Sequence, residues 1–270
     1  AGTQIVRQQW ERAMNQIGTL GGGNHFIELQ ADDSRFDEQG VDHPGDKRLW
    51  IMIHSGSRNV GKQVCDHYHK AAVAYMDKFH SRVPDKDLAF LPEGVPEHDA
   101  YLAEMRWCMA FAEESRKMML DAVFASLMSV TMATPLVDVF VDTHHNFVAQ
   151  ENHYGENLWV HRKGAVKAEG LVTIPGSMGT ASYICEGLSP RESFNTCSHG
   201  AGRVMGRGQA NRTITHEEAV ESMKHVVFGV REGDYDETPM CYKDIDAVVA
   251  AQADLVRPVY RLLPLTVVKG

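Results

Sequence analysis

The chain has 270 residues, 43% hydrophobic and 23% charged, a composition that excludes disorder and gives enough apolar surface for a sizeable core. Its net charge of -9 argues against a generic nucleic-acid clamp and leaves room only for a local basic site. No apolar run approaches the roughly 20 residues that a membrane helix needs. The 5 cysteines form no Cys-x-x-Cys pair, so reduced, mostly buried thiols and a cytoplasmic location are expected.

In chain order, the first notable segment is Gly21-Gly22-Gly23-Asn24-His25-Phe26-Ile27-Glu28. Three successive glycines suit a turn with positive φ or a close approach of a ligand. In the extended stretch that follows, His25 falls on one face and Asn24, Phe26 and Glu28 on the other. Residues 49–53 read as a strand, and His54-Ser55-Gly56-Ser57-Arg58 follows at its end, a pattern suited to a metal ligand beside an anion site. Val64, Tyr68, Ala71, Tyr75 and Phe79 recur at helical spacing, and residues 97–134 contain no Gly or Pro, so they form one long buried helix or a tight pair. A strand is expected at 136–141, ending in Asp142-Thr143-His144-His145-Asn146, of which only one His faces the site.

Strands are expected at 158–161 and 171–174. The second runs into Pro175-Gly176-Ser177-Met178-Gly179-Thr180-Ala181-Ser182, a loop whose backbone amides suit phosphate oxygens. It is neither a P-loop nor a nucleophile elbow. Ser198-His199-Gly200-Ala201-Gly202-Arg203 is a fifth segment of the same character. Thr215 and Glu218 form a capping box before an apolar run to Val230. A helix is expected over 244–256, stopped by Pro258, and a last strand over 265–268. The elements give an α+β fold in one domain over 1–270, mixed β-sheets surrounded by helices.

The wide separation of His25, His54 and His145 excludes a local zinc finger and fits a site built from distant loops, with Mn, Zn or Fe all open. Glu113-Glu114 and residues 232–237 read as solvated acidic faces. A local basic site would rest on Arg203, Arg207 and Arg212, with Arg162 and Lys163.

These five segments, in this order, together with His161-Arg162-Lys163-Gly164-Ala165 and Met240-Cys241-Tyr242-Lys243-Asp244, resemble the RtcB family of RNA-splicing ligases. The resemblance spans nearly the whole chain. It implies an enzyme that joins an RNA 3′-phosphate or 2′,3′-cyclic phosphate to a 5′-hydroxyl end, using GTP and Mn²⁺, two ions per complete site. By resemblance His199 is the guanylylated nucleophile, and His25, His54 and His145 are metal ligands, His145 because the family's ligand precedes an Asn. Asn24, Phe26, Glu28, His145, Asn146, Ser177, Met178, Ser182, His199, Ala201, Gly202, Tyr242 and Lys269 match guanine-nucleotide contacts. Glu28 would read the guanine edge and Tyr242 would flank the base. Arg58 and Arg203 match groups near phosphate or RNA. The family's Asp-x-Gly-Cys-Gly-Met segment, whose Asp and Cys are metal ligands, has no counterpart in this chain. The expectation is therefore an N-terminally incomplete catalytic domain with a weakened metal site. Two alternatives stay open: a non-catalytic GTP- or RNA-binding remnant, and a metal-dependent enzyme that processes RNA 3′ ends.

Overall fold

The computed structural model describes residues 4–33, 48–132, 137–233 and 235–270. Among them are seven α-helices and nine strands, an α+β fold. They gather into two compact units, Ala1–Thr19 with Ser55–Met132, and Leu20–His54 with Ala133–Gly270.

The first unit is helical: α1 (Gln4–Gln8), α2 (Trp10–Gln16), α3 (Val60–Lys78) and α4 (Pro96–Thr131). The buried stripe of α3 is Val60, Val64, Tyr68, Ala72 and Met76, a strict four-residue repeat. The expected face shares only Val64 and Tyr68 with it, and Phe79 is exposed. The apolar periodicity is ambiguous there because alanines and tyrosines flank the stripe on both sides. The stretch is one helix, Pro96–Thr131, rather than a pair, with Pro96 in its first turn, where the missing N–H costs nothing. Its end at Thr131 leaves Ala133 and Thr134 outside the described residues. Burial on α4 stops at Met119, and Met118 and Met128 are exposed. At the other end of this unit, Glu104 is fully buried on α4 and its Oε1 accepts the Ile5 N–H at 2.8 Å. That bond satisfies an amide in the first turn of α1, which no intrahelical partner can reach.

The second unit is built on strands β1 (Phe26–Asp32), β2 (Leu49–His54), β3 (Asn146–His153), β4 (Glu156–Lys163), β5 (Ala165–Lys167), β6 (Glu169–Ile174), β7 (Ser182–Leu188), β8 (Thr196–Ser198) and β9 (Val256–Lys269). Five of them form one sheet in the order β2-β1-β9-β7-β6, while β3 pairs with β4 and β5 with β8. Every named pair is antiparallel, with one isolated parallel bridge from Val227 to Thr266. The main core lies on this sheet: Val172, Ile174, Tyr183, Cys185 and Val256 pack with Val166, Ala168 and Cys197. Gly187 is required there, because a Cβ would lie 2.1 Å from the Ala168 carbonyl carbon.

Helices α5 (Arg207–Thr213), α6 (His216–Met223) and α7 (Ile245–Ala250) complete the unit. The capping box at Thr215 and Glu218 forms as expected, but α6 ends at Met223, well short of Val230. The helix expected over 244–256 ends at Ala250, and Pro258 lies inside β9 rather than terminating a helix. Residues 137–144 carry no regular structure, so the expected strand at 136–141 is absent there, and Leu136 lies outside the described residues.

On β1, Phe26, Glu28 and Gln30 alternate inward and are all fully buried. A strand that buries Glu and Gln beside Phe must satisfy polar groups in its interior, and so commits that face to a specific network.

Candidate active site

Four histidines from four places in the sequence meet on the sheet unit. The rings of His25 and His54 are 6.1 Å apart, those of His54 and His145 5.7 Å, and those of His54 and His199 6.5 Å. His145 and His199 stack face to face at 4.4 Å and 11°. Local structure explains the convergence. His25 closes the glycine loop, where Gly21 and Gly23 hold φ of 89° and 71°. His54 ends β2 opposite Phe26, whose ring it meets edge-on at 5.2 Å. His145 immediately precedes β3, and His199 immediately follows β8.

Burial pulls the His54 imidazole well below its ordinary pKa, and positive charge at His145, His25, His199 and Lys269 adds to the effect. His199 is lowered too, by burial, against the pull of the Gly164 carbonyl. Near pH 7 His54 and His199 are therefore uncharged, the state in which imidazole is a nucleophile or a metal ligand. The His54 Nδ1 is buried without a hydrogen-bond partner, as is the Asn24 Oδ1. Imidazole nitrogens of this kind fit a borderline divalent cation in donor type. Among the described residues, however, no three His, Cys, Asp or Glu groups are set to hold an ion, so the donor set does not close. Cys197, close in sequence to His199, is buried, and burial pushes its thiol up to about 11.

A second group adjoins the first through Phe26, which packs with Met178 and Val267. Glu28 Oε1 accepts the Gly179 N–H at 3.3 Å, and Oε2 accepts from Gln30 Nε2 at 2.8 Å. Gln30 Nε2 also donates to Ser182 Oγ at 3.2 Å. Burial raises Glu28 from 4.5 to about 8, against these hydrogen bonds and the nearby Lys269 charge. Lys269 itself donates to the Gly23 carbonyl, joining the end of β9 to the glycine loop.

The 175–182 loop departs from the phosphate cradle expected of it. The amides of Gly176, Ser177, Gly179 and Thr180 donate to Ser182 Oγ, Thr180 Oγ1, Glu28 and the Ser177 carbonyl. With those amides turned inward, the loop organises Glu28 instead of presenting a nest to an anion.

A third group forms where Arg203 bridges to Tyr242. The Arg203 guanidinium lies 5.0 Å above the Tyr242 ring and donates to its hydroxyl at 3.1 Å. Glu237 is 3% exposed, accepts from the Tyr242 hydroxyl, and forms ion pairs with Arg203 at 3.4 Å and with Arg207. Residue 237 is thus buried at the centre of a network, contrary to the solvated face expected for 232–237. Ala201 packs in the core beside Tyr242, and the Gly202 carbonyl accepts the Lys243 N–H at 2.9 Å.

Arg58 belongs to the helical unit. Arg162 is 3% exposed and cannot line an RNA path. It makes two bonds to Glu151, at 2.6 and 3.0 Å, and donates to Thr196 Oγ1 and the Phe194 carbonyl. Burial opposes ionisation of Glu151, yet Arg162 and His153 outweigh it and lower its pKa. The sequence reading missed Gln30, Glu151 and Gln252, and gave Gly164 and Glu237 no site role of their own. For Gln30 a signal was present: it continues the Phe26, Glu28 alternation by one step.

A family model described as tRNA-splicing ligase RtcB matches residues 1–270. The chain is 40% identical over 282 residues to the RNA-splicing ligase RtcB of Escherichia coli (strain K12), covering 100% of this chain and 66% of that protein. It is 37% identical over 294 residues to the RNA-splicing ligase RtcB of Mycobacterium tuberculosis (strain H37Rv), covering 99% of this chain and 68% of the relative. With the tRNA-splicing ligase RtcB of Methanopyrus kandleri, identity is 35% over 303 residues, covering 96% of this chain and 31% of the relative. The chain thus spans about two thirds of the bacterial relatives it matches. A match that runs from the first residue to the last places this chain in the RtcB family.

Proposed function

We propose that this chain carries the guanylyl-transfer centre of an RNA ligase that joins 3′-phosphate or 2′,3′-cyclic phosphate ends to 5′-hydroxyl ends with GTP. The observation that carries the reading is His199, an uncharged imidazole stacked on His145 within a four-histidine cluster. Glu28, Ser177, Met178, Ser182, Tyr242 and Lys269 would receive the guanosine, with Glu28 facing the guanine edge. His25, His54 and His145 would contribute ligands to Mn²⁺, which when bound would offset negative charge on the triphosphate. In the first step a ring nitrogen lone pair of His199 forms a bond to the α-phosphorus, and the bond from that phosphorus to the bridging oxygen breaks. Pyrophosphate leaves with the electron pair. An oxygen of the RNA 3′-phosphate then attacks the same phosphorus, the P–N bond breaks, and the ring regains its lone pair. Finally the 5′-hydroxyl loses its proton to base and attacks the activated 3′-phosphate, releasing GMP. A 2′,3′-cyclic phosphate would first be hydrolysed to the 3′-phosphate.

The open donor set favours one second reading, a member that binds GTP or RNA without turnover. Incubation with α-³²P-labelled GTP and Mn²⁺ separates the two. The ligase reading expects acid-labile label on the wild type, none on His199→Ala, and joined product when both RNA ends are supplied. Label that survives His199→Ala refutes His199 as the nucleophile; bound GTP with no label supports the second reading.

A further inference from the structure

His199 has a seat of its own. Its Nδ1 is 2.7 Å from the Gly164 carbonyl oxygen. A carbonyl can only accept, so Nδ1 carries the proton and the Nε2 lone pair is left bare. Gly164 is fixed in turn, since its N–H donates to Asn146 Oδ1 at 2.9 Å and the next amide, that of Ala165, donates to the His145 carbonyl at 3.2 Å. Gly164 holds a φ of 63°, and a Cβ there would come within 3.3 Å of His199 Cε1 and 3.4 Å of Nδ1. The ring therefore rests directly against a backbone that only glycine supplies without strain. The Ser198 N–H donates to Gln252 Oε1 at 3.0 Å, and Gln252 Nε2 donates back to Ser198 Oγ at 3.2 Å. The buried Gln252 amide thus fastens the residue before His199 at two points.

We propose that Asn146, expected from sequence to touch the nucleotide, is a positioning residue that acts through Gly164 to fix the His199 tautomer with Nε2 as the attacking atom. The inference deepens the guanylyl-transfer reading and rests on it for its consequence. When Nε2 bonds to phosphorus, the ring becomes cationic, with the charge shared by the Nδ1–H. The Gly164 carbonyl then accepts a charge-assisted hydrogen bond, stronger than the neutral one before the step. The ring stays cationic because a carbonyl cannot take the proton. It therefore remains a good leaving group for the transfer that follows. Asn146 orients the peptide that makes this bond and leaves the reacting atoms untouched.

The test uses the full chain labelled with ¹⁵N-histidine in metal-free buffer near pH 7.5. Ring nitrogens are observed by long-range ¹H–¹⁵N correlation, and His199 is assigned by the signals lost in His199→Gln. The wild type should show a protonated Nδ1 and a bare Nε2. Asn146→Ala should give a tautomer mixture, with kcat for label transfer from GTP lowered about tenfold at unchanged KM. Asn146→Asp, which still accepts from the Gly164 N–H, should restore the wild-type ring. A protonated Nε2 in the wild type, or an Asn146→Ala ring identical to wild type, overturns the proposal. A wild type with the expected tautomer and no label transfer would instead sink the guanylyl-transfer reading and leave the seat standing.

Discussion

Replacing Glu28 with Gln offers the sharpest physical test of the polar interior of β1. Glu28 is fully buried, and burial raises its pKa from 4.5 to about 8. The folded state thus holds a proton that the unfolded chain has released above pH 4.5. The contribution to stability is fully present below that pH and is lost as the pH rises toward 8, with a magnitude on the order of 5 kcal/mol at about 1.4 kcal/mol per unit. Glu28→Gln removes the titration and keeps the shape. The carbonyl of the introduced amide still accepts the Gly179 N–H, while its NH₂ would meet the Gln30 NH₂. Gln30 resolves that clash by rotating its amide half a turn, which brings forward an Oε1 that now has no partner. Ser182 Oγ then donates to Gln30 where it had accepted from it. Denaturant unfolding without GTP or metal, at intervals from about pH 5 to 8.5, reads the outcome. The wild type should lose several kcal/mol relative to the variant across this range, and the variant should be the more stable protein at about pH 8. Parallel pH profiles for the two proteins would refute a buried, proton-retaining Glu28.

Two further substitutions probe the frame around the site. Arg162→Met leaves Glu151 buried without its guanidinium partner, with only the His153 contact kept, and should cost about 3–5 kcal/mol in denaturant unfolding. Adding Glu151→Gln to it should recover most of that loss, and a double variant no better than the single one would contradict the account. Gly187→Ala drives a methyl into the Ala168 carbonyl, which is backbone and cannot rotate away. Unfolding should be easier by about 3 kcal/mol or more, read as a lowered midpoint, and an unchanged midpoint would contradict the packing of β7 against that turn.

Much of the site was legible because its chemistry sits in contiguous, odd-looking strings. Glycines beside His and Asn in extended loops have few structural uses, and His25, His54, His145 and His199 do meet. What escaped was decided by partners remote in sequence. Arg162 reads as a surface cation until the Glu151 on the neighbouring strand closes over it. Glu237 sits in an acidic run that looks solvated, and it is buried because Arg203 and Arg207 converge on it. The 175–182 loop has the composition of an anion cradle, yet side chains from within it and from β1 claim the amides. The helix expected over 244–256 stops short because Val256 pairs with Gly187, and sheet pairing overrides a local apolar period. The strand expected near 136–141 failed for the opposite reason, since β-rich composition there finds no partner strand among the described residues.

The position of β9 has a consequence for how the protein is made. This 14-residue strand pairs with β1 on one side and β7 on the other, so the β1–β2 and β6–β7 pairs meet only across it. On the ribosome, β1 and β2 emerge as a hairpin that must wait through the whole stretch from His54 to Val256 before its open edge is covered. During that wait, the inward face carrying Phe26, Glu28 and Gln30 is exposed to water and to other nascent chains, a setting that favours chaperone capture and strand-edge aggregation. The same register sets Lys269 opposite Phe26, so the centre is completed last: a chain arrested before β9 holds every histidine of the cluster but lacks the strand that joins the β1–β2 pair to β7.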